Sequence, residues 1–370
     1  VTVTIHQGDC REVLPRLESE SVHCCVTSPP YWGLRNYGVD QQIGLEADLQ
    51  EYIDALVAVF AEVKRILRPD GSLWLNLGDC YTGSGKGGHS KRIRSANWQP
   101  IYGKSKTPFQ LKPKELVGLP WRVAFALQAD GWFLRSDIIW NKSNPMPESV
   151  KDRPTRAHEF IFLLTKNQRY HYDYHAIREP LKDSTAARLL QNIEQQEGSA
   201  RAHAGGKTNG KMKAVVFGGA NKHEGYGTTR HSGKEWTLDM AGGGTSMVGH
   251  KGYFKEDGTP TCGVLVNKKS VWTVATCGLK EAHFATFPPK LIEPCIKAGC
   301  PEGGTVIDPF FGAGTTGLVA SRLGRHCIGI ELNPEYAQLA DKRLKEDGGM
   351  FAEVQRPETQ SAETPPQLAM

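Results

Sequence analysis

Thr305-Val-Ile-Asp308-Pro309-Phe310-Phe311-Gly312-Ala-Gly314-Thr315-Thr316-Gly317 is the stretch that decides the fold. It begins as a β-branched apolar run, turns through closely spaced glycines, and continues to Leu323 with helical spacing. That order predicts strand, tight loop and helix start, the frame of a nucleotide-cofactor site. Glycine lets backbone amides approach a ligand with no Cβ in the way. Arg325 to Leu332 predicts the next strand and sets Glu331 at its end, where a carboxylate can take ribose hydroxyls. No Gly-Lys-Ser/Thr follows, so this is not a Walker phosphate loop. A dinucleotide oxidoreductase would carry the same glycines. Asp308-Pro309 instead suits a ligand with an amino group, and Thr315-Thr316 a small carboxylate. A cofactor with an amino-acid end and an adenosine end fits both.

Working outward, Val22 to Thr27 reads as a buried strand halted by Ser28-Pro29-Pro30-Tyr31. Asp48 and Glu51 form a capping box, and Leu49, Tyr52, Ile53, Leu56, Val57, Phe60, Val63 and Leu67 trace one helical face. Pro69-Asp70-Gly71 is expected to end that helix, with a strand over Ser72–Leu77. Strand–helix–strand alternation predicts an α/β sheet. Leu116 to Asp130 reads as helix. Trp132–Trp140 and Glu159–Leu164 read as an antiparallel pair at a sheet edge. Asn333-Pro334-Glu335 opens the last helix.

Composition narrows the class. Of 370 residues, 39% are hydrophobic, which describes an ordinary globular chain and not a disordered one. No stretch approaches a membrane span, the N-terminal residues lack a secretory pattern, and a cytoplasmic enzyme is expected. Nine scattered cysteines without a C-x-x-C pair read as buried thiols, and no metal is expected. The net charge of +5 decides little, but its distribution does. Between Gly83 and Lys114 stand eight basic residues, Lys86, Lys91, Arg92 and Arg94 among them, and no acidic ones. With aromatics interleaved, the segment suits a polyanion such as nucleic acid. From about 175 to 270 glycine rises and helical periodicity fades, which reads as an inserted module. Residues 348–370 are polar and expected to be disordered.

Asp308-Pro-Phe-Phe-Gly-Ala-Gly-Thr-Thr316 together with Thr27-Ser-Pro-Pro-Tyr31 resembles the S-adenosylmethionine-dependent DNA amino-methyltransferases. The hook preceding the cofactor loop resembles their β-group, as do Gly8-Asp9-Cys10 and Phe287-Pro288-Pro-Lys290-Leu291. The resemblance covers roughly 5–80, 116–170 and 271–345. It implies a Rossmann-like class I fold, a mixed and mostly parallel seven-stranded sheet with an antiparallel edge, flanked by helices. It implies that Ser28 Oγ and the Pro29 carbonyl accept the hydrogens of an exocyclic base amine, with Pro30 fixing the turn. Two consecutive prolines set the carbonyl's direction before substrate arrives. Tyr31 would stack on a base rotated out of double-stranded DNA, with Trp32 near the rim.

For the cofactor, the same resemblance implies Asp9 on the adenine amine and Glu331 on the ribose. Asp308, Pro309, Phe310, Gly312, Gly314, Thr315 and Thr316 would form the loop, with Phe287, Pro288 and Lys290 nearby. Arg153 and Arg156 are candidate phosphate contacts; His158-Glu159 reads as structural. The chain then divides into a catalytic half (1–79), a basic DNA-contacting loop (80–115), a continuation of the sheet (116–174), a target-recognition insertion (175–270), a cofactor-binding half (271–347) and a tail. Within the family Ser-Pro-Pro-Tyr is typical of N4-cytosine enzymes, while Asp- or Asn-Pro-Pro-Tyr is typical of N6-adenine enzymes. The expected product is therefore N4-methylcytosine, with N6-methyladenine the alternative, since serine and aspartate can both accept an amine hydrogen. A cognate restriction endonuclease and a homodimer are the protein partners it implies.

Overall fold

The computed structural model describes residues 1–33, 39, 42–82, 111–180, 265–278, 286–348 and 353–357. Lys86, Lys91, Arg92, Arg94 and most of the 175–270 insertion lie outside the described residues. The chain divides into two compact units, one of Val1–Ala176 with Lys269–Met370, the other Ile177–Lys268.

In chain order the elements are β1 (Thr2–Gln7), α1 (Cys10–Val13), β2 (Val22–Thr27), α2 (Leu49–Ile66), β3 (Leu67–Leu77), α3 (Leu119–Ala129), β4 (Phe133–Asn141) and β5 (His158–Thr165). Then follow β6 (Glu179–Pro180), β7 (Leu265–Val266), β8 (Val271–Thr273), α4 (Pro289–Gly299), β9 (Thr305–Asp308), α5 (Thr315–Arg322), β10 (His326–Glu331), α6 (Pro334–Gly348) and β11 (Glu353–Gln355). In the second unit the described strands are β6 and β7, paired antiparallel.

The main sheet runs β11-β1-β10-β9-β2-β3-β5-β4-β8. Its seven inner strands match the expected number, and two three-residue strands extend it to nine. β11 falls in the tail expected to be disordered. It pairs Thr2 with Glu353 and Thr4 with Gln355, and an exposed edge strand needs no apolar face to announce it. The antiparallel pair β4–β5 is present, but it is not the edge: β8 pairs parallel to β4 from Val271 to Thr273. Among the described strands of this sheet only β5 opposes its neighbours, so the sheet is mixed and mostly parallel.

α2 follows its pattern. The Asp48 side chain accepts from the Gln50 amide, and Leu49, Tyr52, Ile53, Leu56, Val59, Phe60, Val63 and Ile66 are buried. Burying each such side chain contributes about 1.5–3 kcal/mol. The expected stop at Pro69-Asp70-Gly71 sits elsewhere: the helix ends at Ile66, and that triplet lies inside β3. The β2–β3 register jumps there, from Val22 opposite Leu67 to Cys24 opposite Ser72. Such an irregularity tolerates a proline that a regular ladder would refuse.

The strand order creates the site. From β9 the chain winds through α5 to β10 on one side; from β2 it winds through α2 to β3 on the other. β2 and β9 are hydrogen-bonded neighbours, so the winding reverses between them. Ligands of open α/β sheets bind outside the carboxyl ends of strands at such a reversal.

Candidate active site

Both sequence motifs end at that crevice. β2 delivers Thr27 and the hook Ser28–Tyr31, and β9 delivers Asp308 and the glycine loop. Thr27 Oγ1 donates to Asp308 Oδ1 at 2.6 Å, and Thr316 Oγ1 donates to Asp308 Oδ2 at 2.6 Å. The Phe310 amide donates to Oδ1 at 3.1 Å. Asp308 is 1% exposed, and burial raises its carboxyl to about 6, against the pull of these three donors.

A cavity of about 750 Å³ opens over the strand ends. This falls in the range of small-molecule and cofactor pockets. The hook (Ser28, Pro29, Pro30, Tyr31) lines it together with Asp308, Pro309, Phe310, Gly312, Thr315, Glu331, Asp9 and Phe287. These twelve expected residues come from distant segments of the chain; most of the lining, Asn76, Trp140 and Lys142 among it, was not expected from the sequence.

The hook is fixed from three sides. Thr27 is held by Asp308. The Tyr52 hydroxyl, from the buried face of α2, donates to the Pro30 carbonyl at 2.9 Å. The Tyr31 hydroxyl donates to Glu159 Oε2 at 2.8 Å. Burial and the Glu159 charge raise the Tyr31 phenol well above its ordinary value, so it stays protonated and a donor. Gly78, just past β3, lets the ring in: a Cβ there would lie 2.7 Å from Tyr31 Cε2.

Glu331 closes the other side. Its Oε2 accepts from the Gly312 amide at 2.6 Å and Oε1 from the Asn333 amide at 2.8 Å. Burial raises it to about 7, with those amides pulling down. Gly314 takes a left-handed φ of 75° to start α5, and a Cβ there would stand 2.8 Å from Ala340 Cβ. Gly314 and the buried Thr316 therefore stand behind the wall, shaping the loop.

Other expected residues sit differently. Trp32 is not at the rim: it is 2% exposed, with its indole NH donating to the Glu46 carbonyl at 2.9 Å. An aromatic with one polar edge buries well when that edge finds an acceptor. Pro288 is the N-cap of α4, and Lys290 points from its first turn into solvent; neither lines the cavity. Asp9 caps α1 through the Arg11 amide and pairs with the Arg11 side chain at 2.5 Å. Burial acts to raise Asp9, but those Arg11 contacts outweigh it and hold its pKa low. Arg153 does not itself line the cavity: it pairs at 2.5 Å with Glu148, which does, and lies 3.9 Å over the Tyr81 ring. Arg156 does line it, 3.7 Å from Asp79, with Nε buried and unpartnered.

Glu159, read from the sequence as structural, is the centre of a polar cluster on this wall. Besides Tyr31, it accepts from Asn76 Nδ2 at 3.2 Å and from Lys142 Nζ at 2.5 Å. Lys142 also lies 4.7 Å over the Trp140 ring. The available signal was a polar residue inside an apolar strand: Asn76 interrupts Leu73–Leu77 yet is 4% exposed. Among the described residues no cluster of His, Cys, Asp or Glu suits a metal ion, and no helix is long and apolar enough to cross a membrane.

Comparison with known proteins matches residues 22–342 to the model of the N6/N4 DNA methylase family. The chain belongs to that family. The Type II methyltransferase M.XycI of Xanthomonas campestris pv. cyanopsidis is 44% identical over 342 residues, 92% of this chain and 87% of the relative. Two solved structures share the fold. The cytosine-N4-specific PvuII DNA methyltransferase aligns with a TM-score of 0.54 at 18% identity, over 92% of this chain and 87% of its own. A candidate DNA modification methylase of Thermus thermophilus, complexed with S-adenosyl-L-methionine, aligns with a TM-score of 0.52 at 22% identity, over 96% of this chain and all of the other. As a DNA methylase the chain is a Rossmann-like class I enzyme that uses S-adenosylmethionine and methylates DNA on an amino group.

Proposed function

We propose that this DNA methylase is site-specific and methylates the exocyclic N4 of a cytosine rotated out of the duplex. The observation that carries the reading is the hook: Ser28 and Pro29 line the cavity beside Asp308, on a backbone fixed at Thr27, Pro30 and Tyr31. An aromatic amine is a weak nucleophile because its lone pair is delocalised into the ring. Ser28 Oγ and the Pro29 carbonyl accept its two hydrogens and draw the nitrogen toward sp³ geometry. The Pro30 carbonyl is already taken by Tyr52, which leaves the Pro29 carbonyl for the amine. Preorganised acceptors need no reorganisation at the moment of reaction. Tyr31 stacks on the base while its hydroxyl stays on Glu159.

The residues present fit the cofactor. Glu331 lies at the carboxyl end of β10 beside the Gly312 turn, and Phe287 and Phe310 supply apolar wall. Glu331 would take ribose hydroxyls, and Asp308 would face the amino-acid end. When bound, S-adenosylmethionine supplies an electrophilic methyl on a sulfonium. Direct displacement would form the N–C bond as the C–S bond breaks, with S-adenosylhomocysteine as the leaving group and the amine's surplus proton passing to solvent. Arg156, on the cavity wall beside Asp79, is a described cation that would face the DNA backbone. Serine at the head of the hook supports cytosine over adenine. The Type II name of its relative supports a cognate restriction endonuclease as partner.

Methylation-sensitive sequencing of DNA from a host expressing the protein tests this reading. Modified cytosines at one short recurring sequence are expected. Modification confined to adenines, or scattered without a recurring site, would overturn it.

A further inference from the structure

Met146 is the most exposed large hydrophobic side chain among the described residues, at 84%, and it lines the same cavity as the hook. Packing does not account for it, since it packs on little. A lone exposed apolar side chain is ordinary on a protein surface; what sets Met146 apart is that it lines the hook's cavity on a loop held by hydrogen bonds.

Its setting is stiff. Prolines flank it in Asn144-Pro145-Met146-Pro147, which restrict the backbone on both sides. The root of the loop is pinned to the strand end beyond β8. Asn144 Oδ1 accepts from the Thr276 amide at 2.7 Å and from its hydroxyl at 3.1 Å, and Asn144 Nδ2 donates to the Thr276 carbonyl at 3.3 Å. The Lys142 amide donates to the Ala157 carbonyl at 2.8 Å. A loop anchored this way presents one apolar tip to solvent at the cavity mouth. Arg156 lines that cavity too, 3.7 Å from Asp79.

Rotating a base out of a duplex leaves a gap in the stack, and the unstacking costs a few kcal/mol. Apolar side chains inserted between base steps fill such gaps. Methionine suits this task, being unbranched and polarizable enough to lie against base faces of either kind. We propose that Met146 enters the duplex at the position vacated by the target base and holds the gap open. This rests on the reading that a base is flipped into the cavity, and it makes Met146 a positioning residue with no part in methyl transfer itself.

The test uses full-length wild type, Met146→Leu and Met146→Gly on a duplex carrying the site found for the wild type. The same duplex with an abasic position opposite the target, where extrusion costs less, is the comparison. On the paired duplex Met146→Gly should turn over about tenfold more slowly, the size of a lost part of the unstacking energy, while Met146→Leu stays within about threefold. Against the abasic partner all three proteins should converge, with S-adenosylhomocysteine affinity unchanged throughout. An active wild type with Met146→Gly equally active, or equally impaired on both duplexes, overturns the wedge alone. A wild type that methylates neither duplex overturns the proposed function and the wedge together.

Discussion

Thr27 Oγ1 donates to Asp308 Oδ1 at 2.6 Å, joining the hook to the cofactor loop across 281 positions of sequence. The bond lies at the winding reversal of the sheet, so the two motifs share one buried carboxylate. Thr27→Val keeps the shape and removes the donor. Leaving Asp308 short of a partner should cost about 1–3 kcal/mol, read as a lower urea midpoint. Because Asp308 also orients Thr316 and the loop, S-adenosylhomocysteine should bind about tenfold more weakly by calorimetry, a loss of ~1.4 kcal/mol. Unchanged affinity would show that the loop holds its shape without the hook.

Tyr52→Phe separates hook geometry from cofactor binding. It removes the donor to the Pro30 carbonyl from the buried face of α2 and leaves the residues of the glycine loop as they are. Turnover should fall about tenfold, while cofactor affinity stays within about twofold, as expected when a preorganising bond is lost. An equal fall in both would place Tyr52 in general packing.

At Gly78 the expectation is steric. Alanine there would place its Cβ 2.7 Å from Tyr31 Cε2, so the ring must leave its place and its bond to Glu159. DNA methylation should drop by about a hundredfold, in keeping with what a displacement on the order of 1 Å can cost. Thermal stabilisation by S-adenosylhomocysteine should survive. Gly78→Ala with full activity would remove Tyr31 from the account.

Two buried carboxylates set a pH response. Burial raises Asp308 from 3.8 to about 6 and Glu331 from 4.5 to about 7. Between the unfolded and folded values the folded chain binds more protons than the unfolded one, so stability from these groups declines as pH rises through that window. His6, His23 and His158, whose pKa burial lowers, act the opposite way over the lower part of this window. The carboxylate effect is therefore read as a difference: from about pH 6 to about pH 8 the ligand-free wild type should lose more melting temperature than Glu331→Gln. A sulfonium ligand whose ribose hydroxyls donate to Glu331 favours the ionised form, so its affinity should rise over the same interval. Calorimetric titration at both ends checks the sign; affinity that falls as pH rises contradicts the ribose role of Glu331.

The legible parts of the sequence were those with short-range signatures. The strand–loop–helix at Thr305–Gly317, the face of α2 and the stop at Ser28-Pro29-Pro30 each follow from local sterics and burial. The resemblance then joined the hook to the loop, and the structure brings both to one cavity. What stayed hidden depends on contacts between distant segments. Trp32 is buried because Glu46 offers an acceptor, and β11 exists because β1 leaves an edge for it. Glu159 looked structural in isolation, and only the fold carries Tyr31, Asn76 and Lys142 to it. Lys290 lies in the first turn of α4, exposed and off the cavity lining, which the sequence around it did not indicate.

The most direct measurement is the identity of the methylated nucleoside. Duplex DNA is incubated with the protein and S-adenosylmethionine, digested to nucleosides and resolved by mass spectrometry. N4-methylcytosine as the product, lost with Ser28→Ala while S-adenosylhomocysteine still binds, is the predicted result. N6-methyladenine as the sole product, or full activity in Ser28→Ala, would contradict it.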